Sequence, residues 1–376
     1  MPPFELDAPV RRSLAMVAVW LVVVNLFALL AFNRLNLAPD TSMDWMSPGS
    51  VRPVSQDWNI IDLHNRWDSY WYLEIAENGY SLRGVKDQAN VVFFPLYPLL
   101  VRMAAPLAGA NLVLAGWMVS SVFLALAVWM LVRLTQEFHP GIDPMRPAMF
   151  LLAYPAAFFL NAVYSESLFL FLSLAVVLYA RRRNFLPAGV FAGLASATRV
   201  AGVFLFVLLL VEFIHANGWR ALFTRRAWPL ALASAGILAF FAYHWIAFGD
   251  FFLYIKVQNA YGRDFAMDAS DFGFRNGPDL VVTVLDWFFI AAAALMGLIA
   301  ILRLRLSYGL YMLVSLGIAV GSGSFLGAAR YTMVLFPIHL IGAGIGSAVG
   351  RGAWLFGSVL LLALDIICFV NHYWAG

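Results

Sequence analysis

The chain has 376 residues, of which 62% are hydrophobic and only 12% are charged. A soluble domain cannot hide that much apolar surface, so the composition indicates that lipid surrounds most of the chain. The formal net charge of +3 is too small for a nucleic-acid-binding surface, and the single cysteine, Cys368, excludes an internal disulfide and a cysteine-rich zinc site.

Apolar runs recur along the whole chain. The first follows Arg11-Arg12 and is long for a signal-peptide core, so we expect an uncleaved first helix. Runs long enough, or nearly long enough, to cross a bilayer lie at about 13–32, 111–133, 163–180, 199–214, 227–248, 280–302, 328–348 and 353–373. Shorter runs, expected to be half-length helices shielded inside the bundle, lie at about 146–160, 185–197 and 306–321.

Arginines mark alternate ends of successive spans, and the positive-inside rule makes those ends cytoplasmic. They are Arg11-Arg12, Arg133 and Arg146, Arg181–Arg183, Arg220 with Arg225 and Arg226, Arg303 with Arg305, and Arg351. This pattern requires that the segment 94–108, which contains prolines and Arg102, forms an interfacial helix instead of crossing.

We therefore predict a single all-α polytopic membrane domain over residues 1–376, with about eleven transmembrane helices, the N-terminus inside and the C-terminus outside. Two long outer loops follow from this topology, at about 33–110 and 249–279. Long, compositionally complex loops on a rigid bundle are typical positions for functional residues.

Asp68 lies in the first outer loop, within Arg66-Trp67-Asp68-Ser69-Tyr70. Its carboxylate could cap a helix over about 69–77 that ends at Gly79, or it could accept a proton from an attacking hydroxyl. The physics of the sequence alone does not decide between these roles. The neighbouring Trp67 suits a membrane-interface belt or stacking against a sugar, and Arg66 is a further candidate for substrate binding.

Glu166 lies at a predicted outer turn, within Tyr164-Ser165-Glu166-Ser167. An ionisable residue at membrane depth is costly unless it is paired, so it suggests a functional site. Glu166 could take part directly in chemistry, or it could be the buried partner of an arginine such as Arg199. Both interpretations remain open at this point.

Arg199 and Arg330 are predicted on the same outer side, and Arg330 follows the glycine-rich stretch Gly321-Ser322-Gly323-Ser324. A guanidinium group matches a pair of phosphate oxygens better than an ammonium group does. Snorkelling of the arginine side chains to lipid headgroups is the alternative. Tyr331 is a candidate for substrate binding beside Arg330.

The second outer loop and its preceding turn contain four further candidates for binding a phosphate or sugar hydroxyls, which are His244, Lys256, Gln258 and Arg263. A solvated loop face would explain these residues equally well. The histidines lack HxH or HxxxH spacing and there is no DxD motif, so no metal site is expected. No glycine-rich nucleotide fingerprint follows a strand, which disfavours a nucleotide donor.

At these residues the chain resembles the PIG-V family, the GPI mannosyltransferase II group with bacterial relatives, within the GT-C membrane glycosyltransferases. The matching residues, in family order over about 65–340, are Trp67-Asp68-Ser69, Ile75-Ala76, Gly79-Tyr80, Phe94-Pro95-Leu96-Tyr97-Pro98, Tyr164-Ser165-Glu166-Ser167, Ala192-Gly193 through Thr198-Arg199, Gly249-Asp250, Gln258, Gly262-Arg263, Arg330-Tyr331 and Phe336-Pro337.

The resemblance implies a GT-C fold and a metal-independent transferase without a cofactor. Such an enzyme would move mannose from a polyprenyl-phosphate carrier to a hydroxyl of a glycolipid, a glycan or a protein. The reaction would occur on the extracytoplasmic face with inversion, in the plasma membrane of a bacterium or in the endoplasmic reticulum of a eukaryote. Asp68 would be the general base, while Arg199 and Arg330 would stabilise the leaving phosphate, supported by Lys256, Gln258 and Arg263.

Two other functions would use a similar arrangement of charges. A transporter or flippase for lipid-linked sugars also needs basic residues and a lipid groove, but is expected to show inverted repeats and broken helices. A non-catalytic subunit of a transferase would retain the fold without the activity.

Overall fold

The computed structural model describes residues 8–32, 60–261, 279–321, 327–371 and 373, and within these ranges the regular structure is entirely helical. The α-helices are α1 (Ala8–Ala31), α2 (Ser69–Asn78), α3 (Leu96–Ala104), α4 (Leu112–Phe138), α5 (Met145–Leu152), α6 (Glu166–Arg181), α7 (Phe185–Ser196), α8 (Leu205–Asn217), α9 (Trp228–Ala231), α10 (Ala235–Phe248), α11 (Leu253–Val257), α12 (Asp279–Arg303), α13 (Leu306–Gly321), α14 (Ala328–Met333), α15 (Pro337–Ala343) and α16 (Ala348–Val370).

Short 3-10 helices connect or extend several of these α-helices. They are Asp62–His64, Asn90–Val92, Ala105–Ala108, Ala157–Leu160, Val200–Phe204, Trp219–Phe223, Arg225–Ala227, Leu232–Ser234 and Gln258–Tyr261.

Within the described part of the chain, 6 helical stretches are long and apolar enough to cross a membrane. They are Ala8–Ala31, Leu112–Phe138, Val200–Asn217, Arg225–Phe248, Val282–Arg303 and Ala348–Val370. These stretches confirm the predicted class, an all-α integral membrane protein. The count of about eleven crossings stays a prediction.

The first helix shows how the apolar surface is divided between protein and lipid. In α1, Val17 and Val24 are buried against the bundle, whereas Val19, Leu26 and Leu30 on the opposite side are 53–66% exposed. A helix that is apolar on every face is stable only where nonpolar solvent covers the outer side. This face therefore requires surrounding lipid.

Close helix packing brings α4 against the segment that precedes α6. A side chain added at Gly116 of α4 would place its Cβ 2.6 Å from Cγ1 of Val163, so any larger residue would force the Val163 side chain or the helix to shift. Helices α6 and α7 pack together, α12 packs on α13, and α1 packs on α4.

The structure corrects the expectation of one continuous helix over 328–348. The helix α14 ends at Met333 and α15 begins at Pro337, which has no backbone N–H to continue the hydrogen-bond ladder. The break lies four residues after Arg330.

The shorter runs do form short helices, but their burial differs from our expectation. Each of them has a buried face; in α5, for example, Ala148 and Leu151 are fully buried. Each also has an exposed apolar side chain, namely Met149 in α5, Leu186 in α7 and Ile318 in α13, which are 41–47% exposed, so protein does not shield these helices completely. The predicted interfacial segment contains α3, and its position relative to the membrane stays a prediction.

Candidate active site

The backbone just before Asp68 adopts an unusual conformation. Trp67 has a φ of 55°, in the left-handed region, which costs a bulky residue about 1–2 kcal/mol. The Arg66 guanidinium turns inward and donates hydrogen bonds to the carbonyl oxygens of Asp62 (2.5 Å), Asn65 (2.8 Å) and Val370 (3.5 Å). Arg66 therefore holds the loop to the bundle, and Arg66 and Trp67 lie outside the cavity described below.

The helix-cap interpretation of Asp68 is wrong for this structure. Asp68 precedes α2, but among the described residues its side chain makes no hydrogen bond to a backbone amide of that helix. Its Oδ2 instead accepts a hydrogen bond of 2.7 Å from Nη1 of Arg330. The predicted helix end is confirmed, because α2 stops at Asn78 and Gly79 follows with a φ of 83°.

Glu166 is the first residue of α6 and is completely buried. Its Oε1 accepts a short hydrogen bond from Nη1 of Arg199 and lies 3.5 Å from Nε of Arg330. The pairing of Glu166 with Arg199, one of the two interpretations left open by the sequence, is therefore present in the structure, and a direct role of Glu166 in chemistry stays a prediction. We refer to Asp68, Glu166, Arg199 and Arg330 as the acid–arginine cluster.

Both arginines of the cluster are held inside the protein. The Arg330 side chain is 7% exposed, and its guanidinium carbon lies 5.3–5.4 Å from the ring centres of Phe159, Tyr164 and Tyr331. Arg199 lies 5.5 Å from the same Tyr331 ring. These aromatic faces attract the cations, and the burial does not fit side chains that snorkel to lipid headgroups.

The short helix that carries Arg330 is fixed at its start and along its length. The backbone N–H of Ala328 donates to Oδ1 of Asp286 at 2.9 Å, and the hydroxyls of Thr332 and Tyr154 are 2.8 Å apart. Asp286 was not predicted from the sequence as a site residue. Its position inside the apolar run at 280–302 was the signal that could have identified it, because an acidic side chain within such a run is rare unless it has a partner.

Three consecutive residues, 164–166, join the loop of Asp68 to the arginines. The Tyr164 hydroxyl donates to the Arg66 carbonyl oxygen (3.0 Å) and accepts from the Asp68 N–H (3.1 Å). Oγ of Ser165 lies 3.0 Å from the Tyr72 hydroxyl and accepts from Nη1 of Arg199 at 3.3 Å. From this motif only Glu166 was predicted as a site residue, and the contacts made by Tyr164, Ser165 and Tyr72 were not predicted.

A cavity of about 200 Å³ opens beside the cluster. Its polar lining includes Asp68, Arg199, Gln258, Arg330 and Tyr331. Much of the remaining wall is apolar and includes Phe169, Val200, Phe204, Leu316, Ile318 and Val334. Such a cavity suits an amphiphile that places an anionic group against the arginines and an apolar chain against the opposite wall.

The remaining candidates lie apart from this cavity or outside the described residues. His244 is buried among aromatic rings, with its ring centre 4.2 Å from that of Phe240. Nζ of Lys256 forms an exposed ion pair with Oδ2 of Asp250 at 2.6 Å, and this hydrogen bond lowers the pKa of the Asp250 carboxyl. Arg263 falls outside the described residues.

The arginine-rich ends of the helices lie opposite the acid–arginine cluster. The helix α6 runs from Glu166 to Arg181, roughly 24 Å at 1.5 Å per residue. At its far end Arg181 donates to the Tyr308 hydroxyl at 3.3 Å, and nearby in the fold Arg305 donates to Glu212 at 2.5 and 2.8 Å. Which of the two ends faces the cytoplasm stays a prediction.

Among the described residues, no three histidine, cysteine, aspartate or glutamate side chains converge as metal ligands. The expectation of a metal-independent, cofactor-free site stays a prediction.

Replacement of Glu166 by glutamine should destabilise the protein because two buried guanidinium groups would lose their shared anion. We expect Glu166→Gln to reduce the free energy of unfolding by about 3 kcal/mol. The measurement is thermal unfolding of the purified protein in detergent. The matched control is Glu137→Gln, which breaks an exposed ion pair with Arg182 and should cost less than about 1 kcal/mol. Equal melting temperatures for the two variants would contradict this prediction.

A family model described as mannosyltransferase (PIG-V) matches residues 11–245, which is more than half of the chain. The chain belongs to the PIG-V mannosyltransferase family. The matched region of this PIG-V family chain contains Asp68, Glu166 and Arg199, while Arg330 follows it.

Curated relatives show the same family likeness. The chain is 28% identical over 209 residues to GPI alpha-1,6-mannosyltransferase 2 of Rattus norvegicus, covering 52% of this chain and 41% of the relative. It is 31% identical over 150 residues to GPI mannosyltransferase 2 of Drosophila melanogaster, covering 37% of this chain and 31% of the relative. The chain thus matches less than half the length of each of these relatives.

The solved structure of ArnT from Cupriavidus metallidurans, bound to undecaprenyl phosphate, resembles the fold with a TM-score of 0.54 and 14% identity. The alignment covers 94% of this chain and 64% of ArnT. This similarity confirms the predicted GT-C fold class.

Proposed function

We propose that this protein is a membrane-embedded glycosyltransferase that moves a mannosyl group from a polyprenyl-phosphate carrier to an acceptor hydroxyl. One observation carries the proposal. Asp68, Arg199 and Arg330 meet at the polar part of a cavity whose remaining wall is largely apolar. Family membership supports the choice of sugar. The undecaprenyl phosphate bound in the ArnT structure supports the choice of carrier. We place the reaction on the extracytoplasmic face.

In the proposed reaction, the acceptor hydroxyl oxygen attacks the anomeric carbon of the donor while Asp68 takes the hydroxyl proton. The bond between the anomeric carbon and the phosphate oxygen breaks, and its electron pair leaves with the polyprenyl phosphate. Arg199 and Arg330 stabilise the negative charge that develops on this leaving group. Attack from the side opposite the phosphate inverts the configuration of the sugar carbon.

The proposed roles of Glu166, Gln258 and Tyr331 follow from their contacts. Glu166 holds the two arginines beside each other, since its Oε1 contacts both of them. Gln258 and Tyr331 line the cavity near the arginines and are positioned to contact the sugar or the phosphate. Lys256 and His244 have no direct part in this reaction, because neither lines the cavity.

The decisive experiment is a transfer assay with the purified protein in liposomes and a polyprenyl-phosphate mannose labelled in the sugar. Extracted membrane lipids, glycans and peptides serve as separate acceptor pools. The proposal predicts a labelled product from one of the pools, together with release of polyprenyl phosphate. Donor binding without any release of polyprenyl phosphate in any pool would contradict it.

A transporter of lipid-linked sugars is the second candidate, because the helix that carries Arg330 is interrupted between Met333 and Pro337. Broken helices beside a binding site are typical of transporters. A transporter would move lipid-linked mannose between the leaflets of liposomes without any acceptor. A transferase would leave the leaflet distribution of the donor unchanged.

A further inference from the structure

The Tyr164 hydroxyl makes two hydrogen bonds to the backbone on either side of Trp67. It donates to the carbonyl oxygen of Arg66 at 3.0 Å and accepts from the N–H of Asp68 at 3.1 Å. Trp67 between them has a φ of 55°, a conformation that an L residue of this size rarely adopts. Such conformations persist only where the surrounding structure enforces them.

The same tyrosine also contacts the arginine that pairs with Asp68. The guanidinium carbon of Arg330 lies 5.3 Å from the centre of the Tyr164 ring, and Nη1 of Arg330 is 2.7 Å from Oδ2 of Asp68. Tyr164 therefore touches the backbone of the acid through its hydroxyl and the cation through its ring face. One side chain therefore contacts both Asp68 and Arg330.

We propose that Tyr164 is a positioning residue for catalysis, whose hydroxyl holds the left-handed turn at Trp67 and so aims the Asp68 carboxylate into the cavity. This inference rests on the proposed function, in which Asp68 is the base. Without the hydroxyl, the Asp68 N–H and the Arg66 carbonyl lose their shared partner. The turn can then relax to a more common conformation, which rotates the carboxylate away from the acceptor hydroxyl.

A buried scaffold supports this assignment from the other side. The backbone N–H of Val163 donates to the carbonyl oxygen of His64 at 3.1 Å, and the Tyr164 carbonyl oxygen accepts from Oγ of Ser120 at 3.2 Å. Burial, together with the charge of Arg66, lowers the pKa of His64 to about 3, so His64 stays neutral beside its stacking partner Trp117. The backbone of Tyr164 is thus fixed by Ser120, and its hydroxyl bonds to the loop of Asp68.

The test compares Tyr164→Phe with Tyr308→Phe. Tyr308 is also fully buried, and its hydroxyl accepts a hydrogen bond from Arg181 at the opposite end of α6 from Glu166. We expect Tyr164→Phe to lower kcat about ten- to hundredfold while the donor KM changes less than about twofold, because a small displacement of a catalytic group slows the chemical step. Tyr308→Phe should retain both constants within about twofold.

Turnover is expressed per donor-binding site, so that a partly misfolded preparation does not imitate a catalytic defect. A double-mutant cycle completes the test, because a residue that acts only through Asp68 should have no further effect in an Asp68→Asn background. The inference is overturned if Tyr164→Phe matches Tyr308→Phe, if its donor KM rises as much as kcat falls, or if its effect adds fully to that of Asp68→Asn. Wild-type turnover by Asp68→Asn itself would instead refute the proposed base.

Discussion

Asp68→Asn is expected to lower sugar transfer by roughly 10²–10⁴-fold while the protein still accumulates and binds the donor. Asparagine has nearly the same shape as aspartate, and its Oδ1 can still accept a hydrogen bond from Arg330, which lies 2.7 Å from the native carboxylate. The amide, however, cannot take the proton of the attacking hydroxyl at neutral pH. The loss should therefore fall on kcat, with the donor dissociation constant nearly unchanged.

The measurement is single-turnover transfer from polyprenyl-phosphate mannose in liposomes, with donor binding measured separately on the same preparation. Asp62→Asn is the matched control, since Asp62 lies in the same loop but does not line the cavity. It should retain transfer within a few-fold of the wild type. A purified Asp68→Asn variant that turns over like the wild type would remove Asp68 as the base.

Arg330→Ala is expected to weaken donor binding and to reduce transfer by about 10²–10³-fold. The substitution removes the positive charge that faces the cavity, and it leaves Asp68 and Glu166 with one arginine fewer between them. Arg330→Lys should recover part of the binding, because lysine restores the charge without the planar two-nitrogen geometry.

The measurement is equilibrium binding of the donor and of an analogue that lacks the phosphate group. Loss of a phosphate contact should weaken binding of the donor alone, whereas a general loss of structure should weaken binding of both. Arg102→Ala is the matched control, because Arg102 is an exposed arginine on α3 that does not line the cavity. Its donor affinity should equal that of the wild type. An Arg330→Ala variant with unchanged donor affinity would exclude Arg330 from phosphate binding.

The positions of most helices could be predicted from the sequence because hydropathy is a local property. The runs predicted at 111–133, 185–197 and 306–321 correspond to α4, α7 and α13, with ends that differ by at most about five residues. A segment in lipid must satisfy its backbone hydrogen bonds internally, so an apolar run of sufficient length becomes a helix whatever its neighbours are.

The prediction failed where a local feature competed with the apolar pattern. The run at 328–348 contains Pro337, which has no backbone N–H and so interrupts the helical hydrogen bonds. Hydropathy measures only how apolar a residue is, so it did not predict this break. The cap interpretation of Asp68 failed for a different reason. A carboxylate can bond to a nearby amide or to a distant cation, and the sequence does not show which of them lies closer.

The sequence by itself determined the membrane class of this protein, the approximate helix positions and the candidates Asp68, Glu166, Arg199 and Arg330. Only the tertiary structure decided that these four side chains form one cluster, that Arg66 and His244 stay outside the cavity, and that Tyr164 supports the turn before Asp68. The physical reason is the distance along the chain. Asp68 and Arg330 are 262 residues apart, and their contact depends on how helices pack, whereas hydropathy is set within each segment alone.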